Sequence, residues 1–190
     1  MAMSRGEALR AIALHRDQRI VVSTMQVMRP WHALSPSELN LSCVGFMGGA
    51  STLGLGVALA QPERRVVILD GDGSLLMQLG SLATIAGAAP ANFCHILFHN
   101  GVYETSGSQR IASADRIDFA QMAKGAGYKA AHTFDDAGRF REEVAGILDE
   151  EGPVFVCLEI DQSEAMAEWD APAVSALAET RTVRRALTGT

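Results

Sequence analysis

Arg65-Val66-Val67-Ile68-Leu69-Asp70-Gly71-Asp72-Gly73-Ser74 is an apolar run that ends abruptly in two aspartates set among glycines. Val66 to Leu69 show no polar and apolar alternation, so this strand needs cover on both faces, as a central strand of a parallel sheet does. Gly71 and Gly73 then let the backbone turn tightly and come close to a ligand. From Ser74 to Ala88, Leu75, Leu76, Leu79, Leu82, Ala83, Ile85 and Ala86 fall at helical spacing, and Pro90 closes the stretch. A second buried strand, Phe93 to Phe98, runs into His99-Asn100-Gly101.

The same rhythm extends outward. Gly6 to Leu14 reads as a helix and Arg19 to Thr24 as a first strand; Gly49 to Ala60 reads as a helix of small residues ended by Gln61-Pro62. Asp118 is an N-cap for a helix over Phe119 to Gly125, and Tyr128 to Thr133 is a short strand. A helix over Asp136 to Glu150 stops at Gly152-Pro153, before a last central strand, Val154 to Ile160. Alternating strands and helices of this kind give a doubly wound α/β fold, a mainly parallel sheet with helices on both faces. Residues 1–161 form one domain, and 162–190 are expected to be a partly helical extension that reaches a neighbouring subunit.

The chain has 190 residues, 48% of them hydrophobic, enough for one sizeable core. A net charge of -6 gives no support for binding nucleic acid or an anionic membrane. The apolar run from Cys43 to Ala60 is broken by glycines and is no spanning helix, and no secretory pattern opens the chain, so a cytoplasmic location is expected. Cys43, Cys94 and Cys157 are isolated from one another; without a Cys-x-x-Cys pair they read as buried thiols, against a zinc site, an iron–sulfur cluster or a disulfide framework.

In open parallel sheets, ligands gather at the carboxyl ends of the strands. There Asp72 offers a carboxylate oxygen and Asn100 an amide oxygen, which suits magnesium holding a diphosphate, provided the two strand ends lie side by side. The free N–H groups at the start of the next helix suit a phosphate. Thr24 and Gln26, just past the first strand, are placed to touch it. Taken alone, Gly-Asp-Gly is also an ordinary Asx turn. Gly54-Leu55-Gly56 is no dinucleotide fingerprint, because it precedes the strand at Val66 and lacks the third glycine.

Gly71-Asp72-Gly73 through Asn100-Gly101 resembles the signature of thiamine-diphosphate-dependent enzymes, in their C-terminal, diphosphate-binding domain, over about Arg19 to Asp161. The resemblance implies that Asp72 and Asn100 coordinate magnesium, with the backbone carbonyl of Val102 as a third oxygen. It also implies that Gly71, Gly73 and Ser74 contact the diphosphate and that Tyr103 belongs to the cofactor-binding set. Gly45-Phe46-Met47-Gly48-Gly49-Ala50-Ser51 resembles the strip beneath the aminopyrimidine ring. Met47 would be the wedge that bends the cofactor, and the Gly45 carbonyl and Met47 N–H would hold the pyrimidine edge; without the family, this segment reads equally as glycine-rich packing with Met47 as core filler. The residue before the ligand asparagine is usually Asn or Asp, and here it is His99, which reads equally as a strand-end histidine.

Within that family, Asp70 to Met77, Leu82 to Ala86 and above all Asn100-Gly101-Val102-Tyr103-Glu104-Thr105-Ser106-Gly107-Ser108-Gln109 resemble the sulfopyruvate and phosphonopyruvate decarboxylases. The implied reaction is loss of carbon dioxide from a small anionic 2-oxo acid carrying a sulfonate or phosphonate. The implied form is a separate β subunit. The activating glutamate would come from a pyrimidine-domain α subunit, with the active site at the interface of a homo- or hetero-oligomer. Glu104 either faces substrate or is a solvated loop carboxylate. Arg29, His32 and Arg110, read as loop residues near the strand ends, are candidate cations for the substrate anion. An acetolactate-synthase-like subunit, a 2-oxoacid oxidoreductase β subunit and a non-catalytic thiamine-diphosphate-binding assembly subunit are the alternatives.

Overall fold

A computed structural model of the chain describes residues 3–162 and 175–189. Residues 163–174 of the expected C-terminal extension lie outside the described residues. In chain order the elements are α1 (Arg5–Leu14), β1 (Ile20–Thr24), α2 (Met25–Leu34), β2 (Asn40–Cys43), α3 (Gly49–Ala60), β3 (Val66–Gly71), α4 (Asp72–Met77), α5 (Ser81–Ala88) and β4 (Phe93–His99). They continue with β5 (Val102–Tyr103), a 3-10 turn (Glu104–Ser106), β6 (Gln109–Arg110), α6 (Phe119–Ala126), β7 (Ala130–Phe134), α7 (Ala137–Asp149), β8 (Val154–Glu159) and α8 (Ala176–Thr188).

Six strands form one parallel sheet in the order β2-β1-β3-β4-β8-β7. The apolar run of β3 explains its central place. Val66 and Ile68 face one core with Ile20, Val22 and Phe155; Val67 and Leu69 face the other with Val21, Ile96 and Val156. The first core is covered by α3, α5, α6 and α8 through residues such as Leu55, Ile85, Phe119 and Val183. The second is covered by α1, α2 and α7 through Leu9, Trp31 and Phe140. This is the doubly wound arrangement expected from the alternation of elements.

Local chemistry fixes the helix ends. Ser4 and Glu7 form a capping box at the start of α1, and Asp118 and Asp136 accept hydrogen bonds from Gln121 and Arg139 N–H at the starts of α6 and α7. Met3 bridges in parallel to Ile160, and Asp161 N–H donates to the Met3 carbonyl at 3.0 Å. The beginning of α1 is therefore held at the carboxyl edge of the sheet.

The structure corrects the helix over Ser74 to Ala88 and the loop reading of the candidate cations, and adds a strand and a hairpin that the sequence did not announce. The helix over Ser74 to Ala88 is two helices: α4 begins at Asp72, and a turn in which Ser81 N–H donates to the Gln78 carbonyl separates it from α5. The break lets Gly48 approach Gln78, where a Cβ on Gly48 would lie 2.7 Å from Gln78 Cβ. Met25–Leu34 is a helix despite Pro30, stabilised by burial of Val27 and Trp31, so Arg29 and His32 are helical rather than loop residues. Asn40–Cys43 is an edge strand, and β5 and β6 form a small antiparallel hairpin beyond Asn100. No helix among the described residues is long and apolar enough to cross a membrane.

Candidate cofactor and metal site

β1 has β2 on one side and β3 on the other, so the strand order reverses at β1 and leaves a crevice at the carboxyl ends. One cleft there is lined by Thr24, Gln26, Met47, Gly71, Asp72, Gly73, Ser74, Asn100, Val102, Tyr103 and Glu104, together with Arg5 and Met25. Of the residues expected to hold metal or cofactor, Gly45 alone is not in its lining; it is exposed, with φ +70°.

The register of β3 on β4 pairs Gly71 with Phe98, which brings Asp72 beside the His99-Asn100-Gly101 turn. Asp72 Oδ2 accepts from Gly101 N–H at 2.7 Å and Oδ1 from Gly73 N–H at 2.6 Å. Burial pushes the Asp72 carboxyl above the usual carboxylate range, and the N–H groups of Gly101 and Gly73, the His99 charge and the Asn100 N–H only partly offset it. Asn100 Oδ1 accepts from Val102 N–H at 3.0 Å, and its Nδ2 donates to Glu104 Oε2 at 3.1 Å. Asp72 carboxylate, Asn100 amide and Val102 carbonyl make an oxygen donor set of the kind a hard divalent cation selects.

The glycines serve space more than torsion. Neither Gly71 nor Gly73 has a positive φ, so the expectation of a tight turn is not met by a left-handed backbone. Nothing lies within 4 Å of a Cβ built on Gly71, which keeps the cleft open there; one on Gly73 would lie 2.5 Å from the Tyr103 ring. Ser74 Oγ accepts from Gly48 N–H at 2.9 Å, fastening the glycine strip to α4 and setting half-buried Met47 into the cleft wall. Thr24 Oγ donates to the Cys43 carbonyl at 3.0 Å and so joins the ends of β1 and β2. Met25 follows at φ +50°, a left-handed conformation in a non-glycine residue at the head of α2, the kind of local strain that clusters at functional sites.

His99 Nδ1 is 2.9 Å from Glu159 Oε2, and its Nε2 is 3.8 Å from Asp72 Oδ2. Burial alone would push the imidazole down, but the Glu159 hydrogen bond and the two carboxylates raise it above its ordinary value; Glu159 is correspondingly lowered against its own burial. His99 therefore sits behind Asp72, between two carboxylates. Deeper in the sheet, Asp70 Oδ2 meets His95 Nε2 at 3.3 Å, and His95 Nδ1 meets Tyr128 Oη at 3.4 Å.

None of the three expected cations lines the cleft. Arg29 is exposed on α2; His32 lies against Ser42 Oγ at 3.0 Å and Glu179 at 3.3 Å; Arg110 is exposed and paired with Asp115. Among the described residues, the cationic side chain in the lining is Arg5. Sequence reasoning missed it. The signal was Ser4-x-x-Glu7, a capping box that marks a helix start, and a helix leading into a parallel strand starts at the carboxyl end of the sheet. The three cysteines are buried and free, as expected.

Fold and cleft define a doubly wound α/β domain with a cleft at its switch point, lined by oxygen-bearing side chains and glycines. Residues 20–158 match the family described as thiamine pyrophosphate enzyme, C-terminal TPP binding domain, and the chain belongs to that family. It is 41% identical over 147 residues to phosphonopyruvate decarboxylase of Streptomyces viridochromogenes, covering 77% of this chain and 36% of that protein. It is 37% identical over 180 residues to sulfopyruvate decarboxylase subunit beta of Methanothermobacter thermautotrophicus, covering 94% and 91%. The chain thus spans about a third of the phosphonopyruvate decarboxylase (36%) and nearly all of the β subunit (91%). The crystal structure of benzoylformate decarboxylase from Polynucleobacter necessarius shares the fold, with a TM-score of 0.72 at 16% identity over 87% of this chain and 34% of that one.

Proposed function

We propose that the chain is the cofactor-binding subunit of a thiamine-diphosphate-dependent decarboxylase acting on a 2-oxo acid of the 3-sulfopyruvate or 3-phosphonopyruvate class. The observation that carries this reading is the adjacency of Asp72 and Asn100, with Gly101 N–H on Asp72 Oδ2 at 2.7 Å, in the cleft that Met47 also lines. Asp72, Asn100 and the Val102 carbonyl would hold magnesium. The open space at Gly71, the Ser74 region and the backbone N–H groups at the head of α4 would receive the diphosphate, and Thr24 and Gln26 lie on the opposite wall.

Thiamine diphosphate, when bound, supplies the electron sink for loss of carbon dioxide. The chain's own residues position it. Met47 would pack against the cofactor, the Ser74 to Gly48 hydrogen bond keeps Met47 in place, and the N–H groups of Gly101 and Gly73 hold the Asp72 carboxylate that would meet the cation. His99 and Glu159 fix the surroundings of Asp72 from behind.

A second, pyrimidine-binding subunit completes the site with its glutamate. Support comes from the relative of nearly equal span, which is named a subunit beta. Further support comes from the rim: Val44 and Phe46, flanking Gly45, are 48% and 53% exposed, and Met77 at the end of α4 is 61% exposed. Apolar side chains so placed beside a site are suited to cover by a partner.

The test is carbon dioxide release by the chain with and without a pyrimidine-domain partner, on 3-sulfopyruvate, 3-phosphonopyruvate and pyruvate. Turnover of an acidic substrate only in the presence of the partner is expected. Full turnover by the chain alone, or a preference for pyruvate, contradicts the proposal.

A further inference from the structure

Arg5 lies outside the family match at residues 20–158, yet α1 delivers it to the cleft, where it is 4% exposed. Its Nη2 is 2.5 Å from Glu104 Oε2, and that same oxygen accepts from Asn100 Nδ2 at 3.1 Å. Two side chains, Arg5 from α1 and Asn100 just past β4, therefore converge on one carboxylate oxygen of Glu104 in the 3-10 turn. Asn100 has two chemically opposite ends, and only its carbonyl end can ligate a metal. An ionised carboxylate only accepts hydrogen bonds, so Glu104 must engage the –NH2 end of the carboxamide. The oxygen end is then directed away from Glu104, where Val102 N–H meets it at 3.0 Å.

We infer that Glu104 and Arg5 are positioning residues that select which atom of Asn100 is offered to the metal. Arg5 holds Glu104 in place. Glu104 lines the cleft, and one of its carboxylate oxygens is committed to Arg5 and Asn100. It sets the orientation of a ligand. The inference rests on the reading of Asn100 as a magnesium ligand.

The test measures the magnesium concentration required for thiamine diphosphate binding to the full chain, by titration calorimetry, in wild type and variants. Glu104→Ala is expected to lower magnesium affinity about 10- to 100-fold, the usual effect of removing a partner behind a metal ligand. Glu104→Gln keeps an acceptor oxygen for Asn100 Nδ2 and is expected to restore most of the affinity. The discriminating background is Asn100→Asp, whose side chain offers oxygen at both ends. There, adding Glu104→Ala is expected to cost no magnesium affinity. Arg5→Met, which retains the packing stem, is expected to weaken magnesium binding in the wild-type background.

An equal loss from Glu104→Ala in both backgrounds, no loss in wild type, or unchanged affinity in Arg5→Met overturns the inference. A wild-type chain that binds the cofactor without magnesium overturns the parent reading as well, and so is told apart from these results. Unfolding midpoints of each variant separate lost folding from lost orientation; if Glu104→Ala does not fold, the Glu104→Gln and Arg5→Met affinities decide.

Discussion

His99 touches carboxylates on both sides, Glu159 at 2.9 Å and Asp72 at 3.8 Å, and this gives the chain a pH signature. The His99 pKa is raised above 6.5 in the fold, so its stabilising contribution is complete below 6.5 and is lost as pH rises through the folded value. The Glu159 pKa is lowered below 4.5, so its contribution is present above 4.5 and is lost as pH falls through its folded value. Denaturant unfolding of the metal-free chain should therefore show the largest stability difference between wild type and His99→Asn within the window from pH 4.5 to 6.5. A difference that keeps growing above that window would contradict the ion pair. Deeper in, Asp70→Ala strands the fully buried His95, and unfolding measurements should show a loss of about 3 kcal/mol. At this scale the adjacency of Asp72 and Asn100 was legible, because each stands just past the end of a neighbouring central strand. Arg5 was not, since its meaning depends on Glu104, 99 positions away in the chain.

Elements were legible where one physical signal dominated. The apolar runs of β3, β4 and β8 announced central strands, and Asp118 and Asp136 announced helix starts. α2 was hidden by Pro30, which tertiary burial of Val27 and Trp31 overrides. β2 was hidden by its four-residue length and by Asn40, whose side chain is committed to Trp31 Nε1 at 3.1 Å and the Ser35 carbonyl at 2.8 Å. The α4–α5 break escaped notice because the apolar spacing runs through it, whereas its cause, the close approach of Gly48 to Gln78, is a contact between distant segments. Where β4 and β8 begin, Gly152 is held against Phe93 and Pro90; a Cβ there would lie 2.4 Å and 2.8 Å from their backbone carbonyl oxygens. Backbone cannot move aside as a side chain can, so Gly152→Ala should cost about 1 to 3 kcal/mol in chemical denaturation. Ser4→Ala should cost about 1 kcal/mol by loss of the α1 cap, and it should also loosen the delivery of Arg5 to the cleft.

Across the whole molecule, two apolar layers sandwich a sheet whose carboxyl edge collects the cleft, and this much followed from the alternation of strands and helices. The proposed partner surface did not, because exposure of Val44, Phe46 and Met77 depends on which face the folded chain leaves bare. Ligand linkage acts at this scale. With thiamine diphosphate and magnesium at about 100 times the dissociation constant, the folded chain gains about 2.7 kcal/mol, which for a protein of this size raises the unfolding midpoint by roughly 5 to 10 °C. The most direct measurement is a calorimetric titration of the full chain with thiamine diphosphate, in magnesium and in excess chelator, for wild type and Asp72→Ala. Saturable binding by wild type in magnesium, absent in chelator and absent in Asp72→Ala, is the expected result; equal affinity in chelator, or undiminished binding by Asp72→Ala, would contradict a magnesium-bridged diphosphate at the ends of β3 and β4.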